Sequence, residues 1–165
     1  MGLAKQSKVL NKQQIEFVST YLRSKRNGLR NQTIFLLSVK SGLRAKEISQ
    51  LSWREVLNSE GTIDTHIHLT NQSSKGNSGR FIPLHKLVRR NLAEMYEYQS
   101  MFRYFDPKTS FVIRTERSPF TTSQTIVNMF QKWYSTLGLI GCSSHSGRRT
   151  FITETAKKIS LVGGS

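Results

Sequence analysis

The sequence predicts an α+β domain that is mainly helical, with one small antiparallel β-hairpin. Three observations carry that expectation. Apolar residues recur at helical spacing in separate stretches, for example Ile15, Val18 and Leu22, or Leu87, Val88, Leu92 and Met95. One stretch alternates as a strand does, Thr62 to Thr70, and a polar tip and a second short apolar run follow it. With 165 residues, 36% of them hydrophobic and including nine Phe and two Trp, the chain can bury one proper core but not two large ones.

Residues 1–10 are polar and basic with little periodicity and read as a flexible lead-in to a domain over 11–165. Asn11 offers a helix cap with Gln14 three residues on, so a first helix is expected to about Lys25. Arg26-Asn27-Gly28 signals a turn, and Thr33 to Val39 then forms a mostly buried second helix that Gly42 is placed to end. Arg44 opens a short third helix through Glu47, Ile48 and Leu51, and Trp53 closes that segment as a core anchor.

The alternating stretch puts Ile63, Thr65, Ile67 and Leu69 on one face and Asp64, His66, His68 and Thr70 on the other, a half-buried strand. His66 and His68 have a spacing that can hold a metal, but no Cys or further His stands nearby, so a solvated face is expected and no metal site. Asn71 to Gly79 reads as a hairpin tip carrying Lys75, and Arg80 to Leu84 as the returning strand, ended by Pro83. A long amphipathic helix follows, its core side running from Leu84 to Phe102. Phe105 to Pro119 reads as a loop around a short strand, Phe111-Val112-Ile113. Thr121 or Thr122 caps the next helix, with Ile126, Met129, Phe130, Trp133 and Leu137 inward and Gly138 as terminator. A last helix begins near His145 and runs through Phe151, Ile152, Ala156 and Ile159. No repeat, low-complexity segment or interdomain linker is visible.

Charge is the strongest compositional signal. There are 25 Lys+Arg against 10 Asp+Glu, a net charge of +15, spread from Lys5 to Lys158 rather than held in one tail. A folded surface of that sign attracts polyanions, nucleic acid above all. No apolar run approaches the roughly 20 residues of a membrane span. The single cysteine, Cys142, excludes an internal disulfide and fits a reducing cytoplasm.

Three polar motifs stand out against this frame. Ser144 to Phe151 contains His145 and Arg148, three apart and so able to share one helix face and one anionic ligand. Gly42-Leu43-Arg44 places a cation at a helix start, where the dipole disfavours it, with Glu47 three residues on to hold the guanidinium. Lys75 sits at a tip that can reach a ligand.

Arg44 with Glu47, then Lys75, then His145 with Arg148, in that order and at these distances, resemble the catalytic domain of the tyrosine recombinases, also called the phage integrase family. The resemblance runs from about Asn11 to Leu161. It implies site-specific recombination or integration of double-stranded DNA, in which a tyrosine attacks a phosphodiester to give a 3′-phosphotyrosine and a free 5′-hydroxyl. Arg44 and Arg148 would clamp the non-bridging oxygens, Lys75 would protonate the departing 5′ oxygen, His145 would assist proton transfer or hold a phosphate oxygen, and Glu47 would orient without reacting. Neither ATP nor a metal is implied, because the covalent link conserves the bond energy. The resemblance also implies a tetramer on DNA in a full-length form and a nucleoid-associated place in the cytoplasm.

Two departures matter. Gly147 stands where the family usually has a hydrophobic residue, which the fold is expected to tolerate. The family's nucleophilic tyrosine follows the His145 helix, whereas Tyr21, Tyr96, Tyr98, Tyr104 and Tyr134 all precede it, and Tyr134 falls in an apolar stripe that makes it core. The sequence therefore reads as a catalytic domain cut short at its C-terminus and lacking the N-terminal DNA-clamping domain, expected to bind a phosphodiester without cleaving it. The alternatives are a non-catalytic basic DNA-binding protein on the same frame, or an RNA-binding protein, which explains the charge but not the Arg44, Lys75 and Arg148 set.

Overall fold

A computed structural model describes residues 6–70 and 79–163. Its described elements are α1 (Lys12–Arg23), α2 (Gly28–Ser41), α3 (Ala45–Gln50), β1 (His66–Leu69), β2 (Arg80–Pro83), α4 (Lys86–Gln99), α5 (Ser123–Thr136) and α6 (Ser146–Gly163). The mainly helical class with one two-stranded antiparallel sheet is as expected.

The fold is built round α2. Gln32 to Val39 are buried on all sides, so this helix is enclosed, and it packs on α1, α4 and α6. The amide side chains inside the enclosure are paired across elements, whereas the buried Ser38 and Ser41 hydroxyls of α2 have no hydrogen-bond partner among the described residues. Gln32 Nε2 donates to the Ser19 carbonyl on α1 at 3.0 Å, and Asn91 Nδ2 on α4 donates to Gln32 Oε1 at 2.9 Å. Trp53, fully buried, donates from Nε1 to Gln99 Oε1 at 2.9 Å, while Gln99 Nε2 reaches the Val112 carbonyl. These bonds relieve the cost of burying amides and fix how the helices sit.

Ends follow local chemistry. Asn11 and Gln14 form a reciprocal capping box at α1, and Thr122 caps α5 through the Thr125 N–H. Gly42, at φ +69°, closes α2, and a Cβ there would lie 2.4 Å from the Phe151 ring.

Several boundaries differ from the sequence reading. α1 ends at Arg23, and α2 begins at Gly28, ahead of Thr33, because Asn27 takes the left-handed conformation (φ 57°) and lets the helix start at once; its end at Gly42 is as expected. The expected strand over 62–70 shrinks to His66–Leu69: Asn58 Oδ1 accepts the Glu60 and Thr62 N–H groups and Asp64 accepts that of Thr65, bonds that compete with a ladder. The strand expected over 111–113 is one bridge, Ser52 to Phe111. α4 stops at Gln99, so Phe102 lies beyond it. Residues 7–10, part of the lead-in expected over 1–10, pack against the domain. Leu10 is 1% exposed in the core, its N–H donates to Thr150 Oγ1 at 2.9 Å, Lys8 pairs with the Gly141 carbonyl, and Arg149 donates to the Ser7 carbonyl.

Candidate phosphodiester site

The C-terminal end of α2, the start of α3, the start of β2 and the start of α6 meet at one place. Arg44 is the residue before α3, and its backbone N–H donates to Glu47 Oε1 at 2.9 Å. The Glu47 carboxylate is 2% exposed, so it needs fixed partners. Its principal partner is Arg80, which makes a two-point contact: Nη1 to Oε2 at 2.7 Å and Nη2 to Oε1 at 3.1 Å. Arg44 Nη1 stands 3.8 Å from Oε2, an ion pair but not a hydrogen bond. Glu47 thus takes the Arg44 backbone N–H and stands at ion-pair distance from its guanidinium, while both of its oxygens also accept from Arg80.

Arg148 joins the group from α6. Its Nη1 donates to the Gly42 carbonyl at 2.7 Å, two residues before Arg44. Burial, and then the Arg44 and Arg80 charges, push its guanidinium below the usual arginine value, with Glu47 pulling the other way. It remains a cation under any ordinary condition. α6 comes this close because residue 147 is glycine: a Cβ there would lie 1.9 Å from Ser38 Oγ on α2. The departure at Gly147 therefore has a packing reason.

His145 caps the start of α6, its carbonyl accepting the Arg149 N–H at 3.1 Å, so it precedes the helix rather than sharing a helical face with Arg148. Its side chain is exposed and makes no hydrogen bond to any described residue. Lys75 lies outside the described residues. Tyr134 is 1% exposed, its hydroxyl has no partner among them, and burial raises its pKa, all of which fit a core residue. Burial likewise pushes the Cys142 thiol up. His66 stacks on Phe81 with 4.1 Å between ring centres, and His68 Nε2 lies 3.4 Å from Asp64.

Arg80 is the site residue that sequence reasoning missed. The signal was in the alternation: Arg80 shares a strand face with Ile82, which is buried, while Phe81 between them points out. A charged side chain on an inward face must have a partner.

The sequence matches the phage integrase family over residues 8–159. The chain belongs to that family. Solved integrases and recombinases share its fold at low identity. XerA recombinase superposes with a TM-score of 0.75 at 15% identity, covering 94% of this chain and 53% of that one. The Tn1549 transposon integrase, in complex with a circular intermediate DNA, gives 0.71 at 18%, covering 94% and 55%. A lambda integrase dimer bound to a core site gives 0.67 at 18%, covering 97% and 43%. This integrase-family chain thus spans about half the length of those proteins. No curated protein sequence matches it.

A second basic region lies at the other end of α2, about 20 Å away at 1.5 Å per residue. Arg26 and Asn27 donate to Glu116 at 2.8 and 3.2 Å, and Arg30 reaches the Arg114 carbonyl. Arg114 lies over the Phe102 and Tyr104 rings beside a cavity of about 650 Å³. Among the described residues no helix is long and apolar enough to cross a membrane.

Proposed function

We propose that this integrase-family chain binds double-stranded DNA and seats one phosphodiester between Arg44 and Arg148, as part of a site-specific recombinase or integrase. One observation carries the reading: three guanidiniums, Arg44, Arg80 and Arg148, gather round one buried carboxylate in a chain of net charge +15. That imbalance suits an anion with several oxygens, and planar guanidinium forks suit phosphate. The DNA complexes of the Tn1549 and lambda integrases support the same partner.

In this reading Arg44 and Arg148 hold the non-bridging oxygens, where charge accumulates during phosphoryl transfer. His145, exposed at the helix start, assists proton transfer or holds a phosphate oxygen. Lys75 delivers a proton to the leaving 5′ oxygen, and Glu47 orients. Of the described tyrosines, Tyr134 is sealed in the core and Tyr98 and Tyr104 line the cavity at the other end of α2, so none of these three is placed to attack a phosphodiester held by Arg44 and Arg148. On this reading these residues bind and orient the phosphodiester, and no covalent adduct through these three tyrosines is expected. The same observation favours a second reading, a DNA-binding protein on the recombinase frame that has no cleavage role.

The test is duplex binding by fluorescence anisotropy across a salt series. Arg148→Ala should weaken binding at least tenfold, as expected for a lost charge-assisted contact to a seated phosphate. A loss no greater than that of Arg117→Ala on the distant loop would reduce the interaction to diffuse attraction and overturn the seated-phosphate reading. A DNA strand attached covalently through Tyr98, Tyr104 or Tyr134 would overturn the expectation that they form no adduct.

A further inference from the structure

We infer that Arg80 is the positioning residue of this site, holding Glu47 so that Arg44 stays free for the ligand. The inference rests on the phosphodiester reading above and concerns how the cation pair is kept available.

Glu47 has two carboxylate oxygens and, at 2% exposure, little water to share them with. Two arginines compete for it. Arg44 is the local competitor, three residues away and already bonded to Oε1 through its backbone N–H. A buried carboxylate with a guanidinium at that separation normally captures it. It does not do so here: the Arg44 head stays 3.8 Å off and 41% exposed, because Arg80 occupies both oxygens at 2.7 and 3.1 Å. Arg80 comes from the first residue of β2, paired with Leu69 in a fixed register, so its approach is set by the sheet and not by the α2–α3 corner. It is also the less exposed of the two, at 29%. One arginine is thus committed to neutralising Glu47, and the other, with donors unspent, faces solvent beside Arg148.

Removing Arg80 should let Arg44 fold onto Glu47, and the site would lose two cations for one substitution.

A double-mutant cycle on duplex DNA reads this out. Arg80→Gln should weaken binding about tenfold or more. Adding Glu47→Gln to it should restore most of the affinity, because the neutral amide no longer captures Arg44. Loss of one ordinary DNA-facing charge predicts instead that Glu47→Gln raises affinity by the same factor with or without Arg80. That outcome, or an Arg80→Gln protein that binds like the wild type, overturns the inference. If Arg80→Gln does not fold, Arg80→Lys serves. It keeps a charge but cannot span both oxygens, so it should also bind less well and also be rescued by Glu47→Gln. Arg44→Ala and Arg148→Ala are run alongside. If neither changes binding, the phosphodiester reading fails; if both weaken it and the cycle is additive, only the role of Arg80 fails.

Discussion

The two ends of α2 carry the same chemistry in different surroundings. At one end Arg80 and Arg44 meet Glu47, and at the other Arg26 and Asn27 meet Glu116, each with a shortest arginine contact of 2.7 to 2.8 Å. Glu47 is 2% exposed and Glu116 51%. The Asn27 hydrogen bond and then the Arg26 charge hold the Glu116 carboxyl below the usual range, yet water and salt share the work there. Distance alone therefore says little about what an ion pair does. Burial converts the first pair into a part that positions its neighbours, while the second remains a surface contact.

The largest effect that separates the ends is on stability. Glu47→Ala leaves the half-buried Arg80, 29% exposed, without its carboxylate and should cost about 3 kcal/mol. That corresponds to a fall in Tm of roughly 10 °C for a domain of this size. Glu116→Ala should leave Tm unchanged within error at moderate salt. Circular dichroism melts check both, and equal falls would break the comparison.

A smaller effect should come from packing beside the buried pair. Gly147→Ala drives a methyl into Ser38 and should cost about 1–3 kcal/mol. Because α6 must back away from α2, Arg148 should also part from the Gly42 carbonyl, and DNA affinity should drop with stability. A melt that shifts with no change in binding would show that the site tolerates the movement.

The smallest effect belongs to His85, an intermediate case. Its Nδ1 accepts the Leu87 N–H at the start of α4, and desolvation, then Lys40 and Lys158, lower its pKa. The unfolded chain therefore takes up the proton more readily. Stability from this group is complete above about pH 6.5 and is lost as pH falls through the lower folded value. Tm should decline modestly on acidification over that window, and His85→Asn, which keeps an acceptor at the cap, should flatten that part of the profile.

Much of this was legible in the sequence where a local rule decides the outcome. The capping box at Asn11, the cap at Thr122, the stop at Gly42 and the core placement of Tyr134 depend on neighbours a few residues away. So did the pairing of Arg44 with Glu47 as a motif. What escaped depends on contacts distant in the chain. Arg80 reaches Glu47 across 33 residues, and only its inward strand position hinted at it. Leu10 looked like part of a loose leader because Thr150, 140 residues on, holds it. The short strand at 66–69 was overextended because side chains of Asn58 and Asp64 satisfy backbone groups that a pattern of alternation assigns to a ladder.

The docking of residues 7–10 bears on how the protein can be handled. The chain comes in past Gly141 and Thr150 and is tied to Arg149, the residue next to Arg148. A dye, bead or fusion partner is therefore best kept off residues 7–10, because a change there would disturb these contacts. The exposed Glu60, next to Gly61 in its turn, offers a cleaner handle, because among the described residues only its backbone N–H is engaged, by Asn58 Oδ1.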